Sequence, residues 1–168
     1  MNRLSHKKDH SVILALGSNI GDAETIFQQA CELLKKNSFV VEKVSSTIKT
    51  SPVDCPPGTP DFANGALQGR YSGSPDELLV LLQKIEQMLG RPADHGYHES
   101  RTLDLDIILF DDLMIDMPHL TIPHVSAQQR FFVLKPLAEI APDRCFPDSG
   151  LTAAAALQKL KKSLKAEM

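Results

Sequence analysis

The stretch SPVDCPPGTP, Ser51 to Pro60, places four prolines and one glycine in ten residues. Proline lacks the N–H that a helix interior or a central strand needs, and it restricts the residue before it. No helix or interior strand can cross this segment, so it is a loop. On its N-terminal side lies FVVEKVSSTIKT, Phe39 to Thr50, rich in β-branched residues and read as one long strand. On its C-terminal side a second strand is expected from Phe62 to Tyr71. Two strands in succession without a helix between them do not make a simple alternating, parallel α/β protein.

The remaining elements build around that pair. SVILAL, Ser11 to Leu16, suits a buried strand ending at Gly17. Asp22 can cap a helix over roughly Ala23 to Lys36, with Ile26, Ala30, Leu33 and Leu34 at helical spacing. Ser74, Pro75 and Glu77 form a capping-box signature for a helix that Gly90 ends near Leu89. RPADHGYHESRT is a polar loop leading into a strand from Leu103 to Phe110. Ser126 to Leu137 is expected to hold a short helix and a further strand, and Leu151 to Ala166 a final helix. The order β-α-β-β-α-β is a ferredoxin-like α+β arrangement: a mostly antiparallel sheet covered by helices, with an extra C-terminal helix. We expect a polar extension over residues 1–10 and one domain over residues 11–168.

Composition excludes several classes. At 42% hydrophobic and 23% charged, the 168-residue chain is an ordinary globular one. No apolar run reaches the ~18 residues of a membrane span. The polar start MNRLSHKKDH has no apolar core behind it, so no signal peptide is read there. Three scattered cysteines, Cys31, Cys55 and Cys145, fit a reducing cytoplasm rather than a disulfide framework. Residues 51–150 carry fifteen Asp/Glu against seven Lys/Arg, and tryptophan is absent, so a nucleic-acid partner is not expected. His6 and His10 fall in a terminus expected to fray.

Chemistry concentrates in RTLDLDIILF. In a strand, Asp104 and Asp106 point to the same face, roughly 6.5–7 Å apart. At an effective dielectric near 20 they repel by about 2–3 kcal/mol. Within a cleft that is relieved by a raised pKa or by a cation. Hard carboxylate oxygens suit Mg²⁺ shared with substrate phosphates. The same pattern also fits a solvated strand end. Arg91 and Arg101, at the two ends of the polar loop, could grip a polyphosphate, or could pair with Asp94 and Glu99. GSNIG lacks the spacing of a dinucleotide turn, and no P-loop is present. Phe62 and Asn64 share a face and could stack on a flat heterocycle and read its edge. On composition alone, a core phenylalanine and a turn asparagine is the preferred reading.

Together LGSNIGD, TSPV, PDFANGAL, KIEQMLGR, RTLDLDIILF and LTIPHVSAQQRFFVLKPLAEIAPD resemble the 6-hydroxymethyl-7,8-dihydropterin pyrophosphokinase family, from about Val12 to Asp148. The resemblance implies a ferredoxin-like enzyme of folate biosynthesis that moves pyrophosphate from ATP to the pterin hydroxymethyl group, leaving AMP. It implies that Asp104 and Asp106 hold two Mg²⁺ and that Arg91 and Arg101 steady the phosphates. It places the pterin between Phe62 and Phe132, read by Asn64 and by Thr50, Ser51, Pro52 and Val53. It places ATP against Gln83, Glu86, Arg91, Arg101, Ile107, Leu120, Thr121, His124 and Arg130. Ala93, Tyr97, His98, His119 and Val125 depart from the family pattern, and Phe62 stands where a tyrosine is common. We expect a cytoplasmic monomer with small-molecule substrates. Two rivals are a Mg²⁺-dependent D-x-D nucleotidyl- or glycosyl-transferase and a non-catalytic ligand-sensing module. The first would release pyrophosphate or a nucleoside diphosphate instead of AMP, and the second would not need the aspartates.

Overall fold

The computed structural model describes residues 8–19, 21–52, 54–90 and 103–167. The polar loop with Arg91 and Arg101, and Val53 of the proline loop, lie outside the described residues.

The strands are β1 (His10–Ser18), β2 (Phe39–Val44), β3 (Ile48–Thr50), β4 (Phe62–Tyr71), β5 (Asp104–Phe110), β6 (Ile115–Met117) and β7 (Leu120–Ile122). The helices are α1 (Ala23–Lys36), α2 (Pro75–Met88), α3 (Phe131–Ile140) and α4 (Ala153–Ala166). The main sheet runs β2-β4-β1-β5, with β3 also paired to β4, and every pairing is antiparallel. This is the ferredoxin-like order.

Local signals act where they were read. Asp22 caps α1 by accepting the N–H of Glu24. Ser74 and Glu77 close a reciprocal capping box on α2. Thr152, a cap not read from the sequence, opens α4 by accepting the N–H of Ala155.

Three expectations are corrected. The expected strand over Phe39–Thr50 is two strands. Val44 opposes Leu67 while Ile48 opposes Asn64, so four steps on one side match three on the other. Ser45 bridges the break, its backbone N–H and side-chain Oγ both bonding Ala66. The segment Ser126–Leu137 holds a 3-10 turn at Ala127–Gln129 and then α3, not a strand. Val133, Leu134, Leu137 and Ile140 are buried on one helical stripe. Pro136 sits inside that helix. Finally, His10 is not frayed: it opens β1, and its Nδ1 lies 2.6 Å from Asp111 Oδ2.

Each sheet face buries its own core. Val12, Leu14, Leu16, Leu67, Leu105 and Ile107 pack under α1 and α2. Ile13, Ala66 and Ile108 pack under α3 and α4. A bulge in β5 shifts the register between Ile13 and Leu14, which places Ile108 and Leu109 in the same core. Among the described residues, this face opens into a cleft lined by Phe132 and Val133 at the start of α3, and the aspartates stand there.

Candidate active site

Asp104 and Asp106 flank buried Leu105, and both are half-buried, as period-two alternation requires. Asp106 lies opposite Ala15, and Asp104 opposite Gly17. Gly17 is in turn opposite Asn64 on β4. Asn64, Gly17 and Asp104 therefore form one row across three strands.

That row floors a cleft of ≈ 490 Å³. Thr50, Ser51, Phe62, Asn64, Asp104, Asp106 and Phe132 all line it, as do His124 and Arg130. Asn64 is buried, and its amide Nδ2 donates to Thr50 Oγ1 at 2.9 Å. The Arg130 guanidinium carbon sits 5.7 Å from the centroid of the Phe132 ring, a cation–π contact. The cleft thus offers two aromatic rings, a buried amide and a fixed positive charge.

A second cleft of ≈ 270 Å³ lies at the outer edge of β5, against Leu79 of α2 and the β6–β7 hairpin. Ile107, Leu120, Thr121 and His119 line it. His119 Nε2 lies 2.7 Å from Asp76 Oδ1, tying the hairpin turn to the first turn of α2. Asp106 and His124 line both clefts. They form the seam between them.

His124 is held at the seam by its backbone, which donates to Ile108 O at 3.1 Å. Its Nδ1 accepts the N–H of Ser126 at 3.3 Å, so Nε2 carries the proton of the neutral ring. Burial, and then the charge of Arg130, push its pKa below the ordinary histidine value, against the opposing pull of Asp104. The unfolded chain therefore binds a proton more readily at this position. Stability from this group is full above the unfolded pKa of about 6.5 and is lost as pH falls toward the folded value. Replacing His124 by Asn should shallow the fall in Tm between about pH 7 and pH 5. An unchanged slope in thermal melts would remove His124 as the source.

Four expected residues sit differently. Gln83 is exposed, and neither it nor Glu86 lines either cleft. Glu86 is buried, and its Oε1 accepts the N–H of Leu105 at 2.7 Å, between the two aspartates. It holds the backbone that presents them. Its place eight residues after Leu78 puts it on the apolar stripe of α2, a signal the sequence carried. Arg130 lines the first cleft, not the second. Pro52 lines neither.

Sequence reasoning passed over Ala15, Gly17, Asp54 and Cys55, which line the first cleft. Among the described residues no cluster of three His, Cys, Asp or Glu could enclose a metal ion. Two same-face carboxylates still suit Mg²⁺, which completes its octahedron with water and substrate oxygens. Among the described residues, no helix is long and apolar enough to cross a membrane.

The chain is similar to known proteins in sequence and in fold. Residues 13–142 match the family model described as 7,8-dihydro-6-hydroxymethylpterin-pyrophosphokinase. A 2-amino-4-hydroxy-6-hydroxymethyldihydropteridine pyrophosphokinase of Bacillus subtilis is 47% identical over 131 residues, covering 76% of this chain and 75% of that one. The protein of the same description from Synechocystis is 43% identical over 144 residues, covering 85% of this chain and 72% of its own. A crystal structure of Plasmodium falciparum HPPK-DHPS superposes with a TM-score of 0.80 at 16% identity. It covers 98% of this chain, which spans 46% of that longer one. At that identity the likeness speaks for the fold.

Proposed function

The chain belongs to the 7,8-dihydro-6-hydroxymethylpterin-pyrophosphokinase family, and we propose that it runs that family's reaction across the seam between its two clefts. The reaction transfers pyrophosphate from ATP to the hydroxymethyl group of 6-hydroxymethyl-7,8-dihydropterin, a step of folate biosynthesis. The observation that carries the division of labour is that Asp106 and His124 line both clefts.

The first cleft takes the pterin. Phe62 and Phe132 offer faces for stacking, and Asn64, held by Thr50, reads the heterocycle edge. The second cleft takes the nucleotide, with Ile107 and Leu120 as apolar walls and Thr121 as a polar one. The phosphates then lie over the seam. There the neutral His124 offers an N–H donor without adding charge, and Arg130 supplies a permanent charge nearby. Arg91 and Arg101 are assigned to the phosphates by the family pattern.

Asp104 and Asp106 are the residues to hold Mg²⁺, and two ions are the expectation. Bound metal supplies charge neutralisation on the transferred group. The hydroxymethyl oxygen forms a bond to the β-phosphorus and gives up its proton to solvent, the bond between that phosphorus and the α,β-bridging oxygen breaks, and AMP leaves with that oxygen. Such chemistry depends on positioning and electrostatics more than on covalent participation by the protein. A monomeric, cytoplasmic enzyme is part of this reading.

The test is direct. The purified protein is mixed with ATP, Mg²⁺ and 6-hydroxymethyl-7,8-dihydropterin, and AMP is followed. AMP should appear in step with the pterin diphosphate. Folded protein that yields none would overturn the assignment.

A further inference from the structure

The GSNIG turn is not a phosphate loop, and the division of labour above gives Gly17 no role. A glycine can be required by its backbone, by its packing or by a ligand. The first two can be examined at Gly17 directly.

The backbone does not require it. Among the described residues, the glycines with positive φ are Gly21, Gly58, Gly90 and Gly150, while Gly17 lies in β1, paired on both sides. A strand interior is a position where glycine is weaker than alanine. Among the described residues, packing does not require it either. A Cβ built on Gly17 would stand 3.6 Å from Asn64 Oδ1 and 3.9 Å from Asp104 Cβ, ordinary contact distances. Gly69 on β4 makes the contrast, since a Cβ there would collide with the Phe39 ring and the Val40 carbonyl.

What is left is the cleft. Gly17 is half-buried and lines the first cleft, and its missing side chain would project between Asn64 and Asp104. Two strand spacings separate those residues, about 9.5 Å, and Gly17 is the step between them. Ala15, next along the same face of β1, already carries a methyl group opposite Asp106.

We propose that Gly17 is a specificity-determining position, a gap kept open on the cleft floor between the heterocycle subsite and the aspartate pair. Through it the hydroxymethyl arm reaches from the ring at Asn64 to the phosphates held over Asp104 and Asp106. The gap selects a flat heterocycle lying flush on the sheet, with a short unbranched arm at that edge. A methyl group on the floor lifts the ring and moves the reacting oxygen out of line. This rests on the assignment of the pterin to the first cleft.

Gly17→Ala and Gly17→Val would be compared with the parent protein. Three quantities would be measured: Tm, affinity for a non-hydrolysable ATP analogue with Mg²⁺, and kcat and KM for the pterin. Gly17→Ala should melt at or above the parent temperature and bind the ATP analogue as the parent does. Its kcat/KM for the pterin should fall by about 100-fold, the scale of an ångström-sized misplacement. Gly17→Val should lose more of kcat/KM. Parental kcat/KM in a folded Gly17→Ala would overturn the proposal. So would a Tm well below the parent, because packing would then be the reason for the glycine. A parent protein that forms no AMP would instead overturn the functional assignment, before any variant is compared.

Discussion

Asp106→Ala is expected to lower kcat by at least about 10³-fold, with pterin affinity close to that of the parent. Asp106 lines both clefts, so in the proposed assignment it stands where the two substrates meet. It is half-buried within two residues of Asp104 on the same face, an arrangement that favours a bound cation. Without one carboxylate, phosphate charge at the seam is neutralised less where it develops. That loss falls on the transition state and therefore on kcat. Asp104→Ala should act in the same direction. The check is kcat at saturating Mg²⁺ and both substrates, beside calorimetric titration with the pterin alone. If Asp106→Ala turned over normally at saturation and only pterin binding were lost, the carboxylate would belong to the pterin subsite and the metal assignment would be wrong.

Phe132→Ala should weaken the pterin by about 5- to 150-fold, the equivalent of the roughly 1–3 kcal/mol of one aromatic stack. Phe132 is half-buried at the start of α3 and lines the first cleft with Phe62. The substitution also removes the ring beneath the Arg130 guanidinium. The effect should appear in KM for the pterin, because a stack is present in both the ground state and the transition state. KM for ATP should not move, since Phe132 does not line the second cleft. Steady-state kinetics with each substrate varied in turn separates these outcomes. A rise confined to KM for ATP would reverse the assignment of the two clefts.

Much of this site could be read in the chain itself, for identifiable reasons. The same-face placement of Asp104 and Asp106 follows from the strand period alone. The proline cluster correctly separated β3 from β4, and the capping residues correctly opened α1 and α2. The short apolar run at Phe131 is where pattern reading failed. Runs of that length suit a buried strand or a buried helix, and only packing against β4 and α4 decides between them. Glu86 was placed at the nucleotide by resemblance, although its helical position pointed inward to the backbone of β5.

The sequence by itself determined β1, α1, β4, α2, β5 and α4 in their order, the face shared by the two aspartates and the aromatic and amide candidates. Those are matters of local period, capping and turn chemistry, which act over a few residues. Tertiary structure decided which residues stand opposite one another. Asn64, Gly17 and Asp104 come from three strands far apart in the chain, and only the register of β1 against β4 and β5 brings them into one row. A slip of one residue would turn that row to the other face. Register is set by burying two hydrophobic faces at once, a condition on the whole sheet that no short stretch contains.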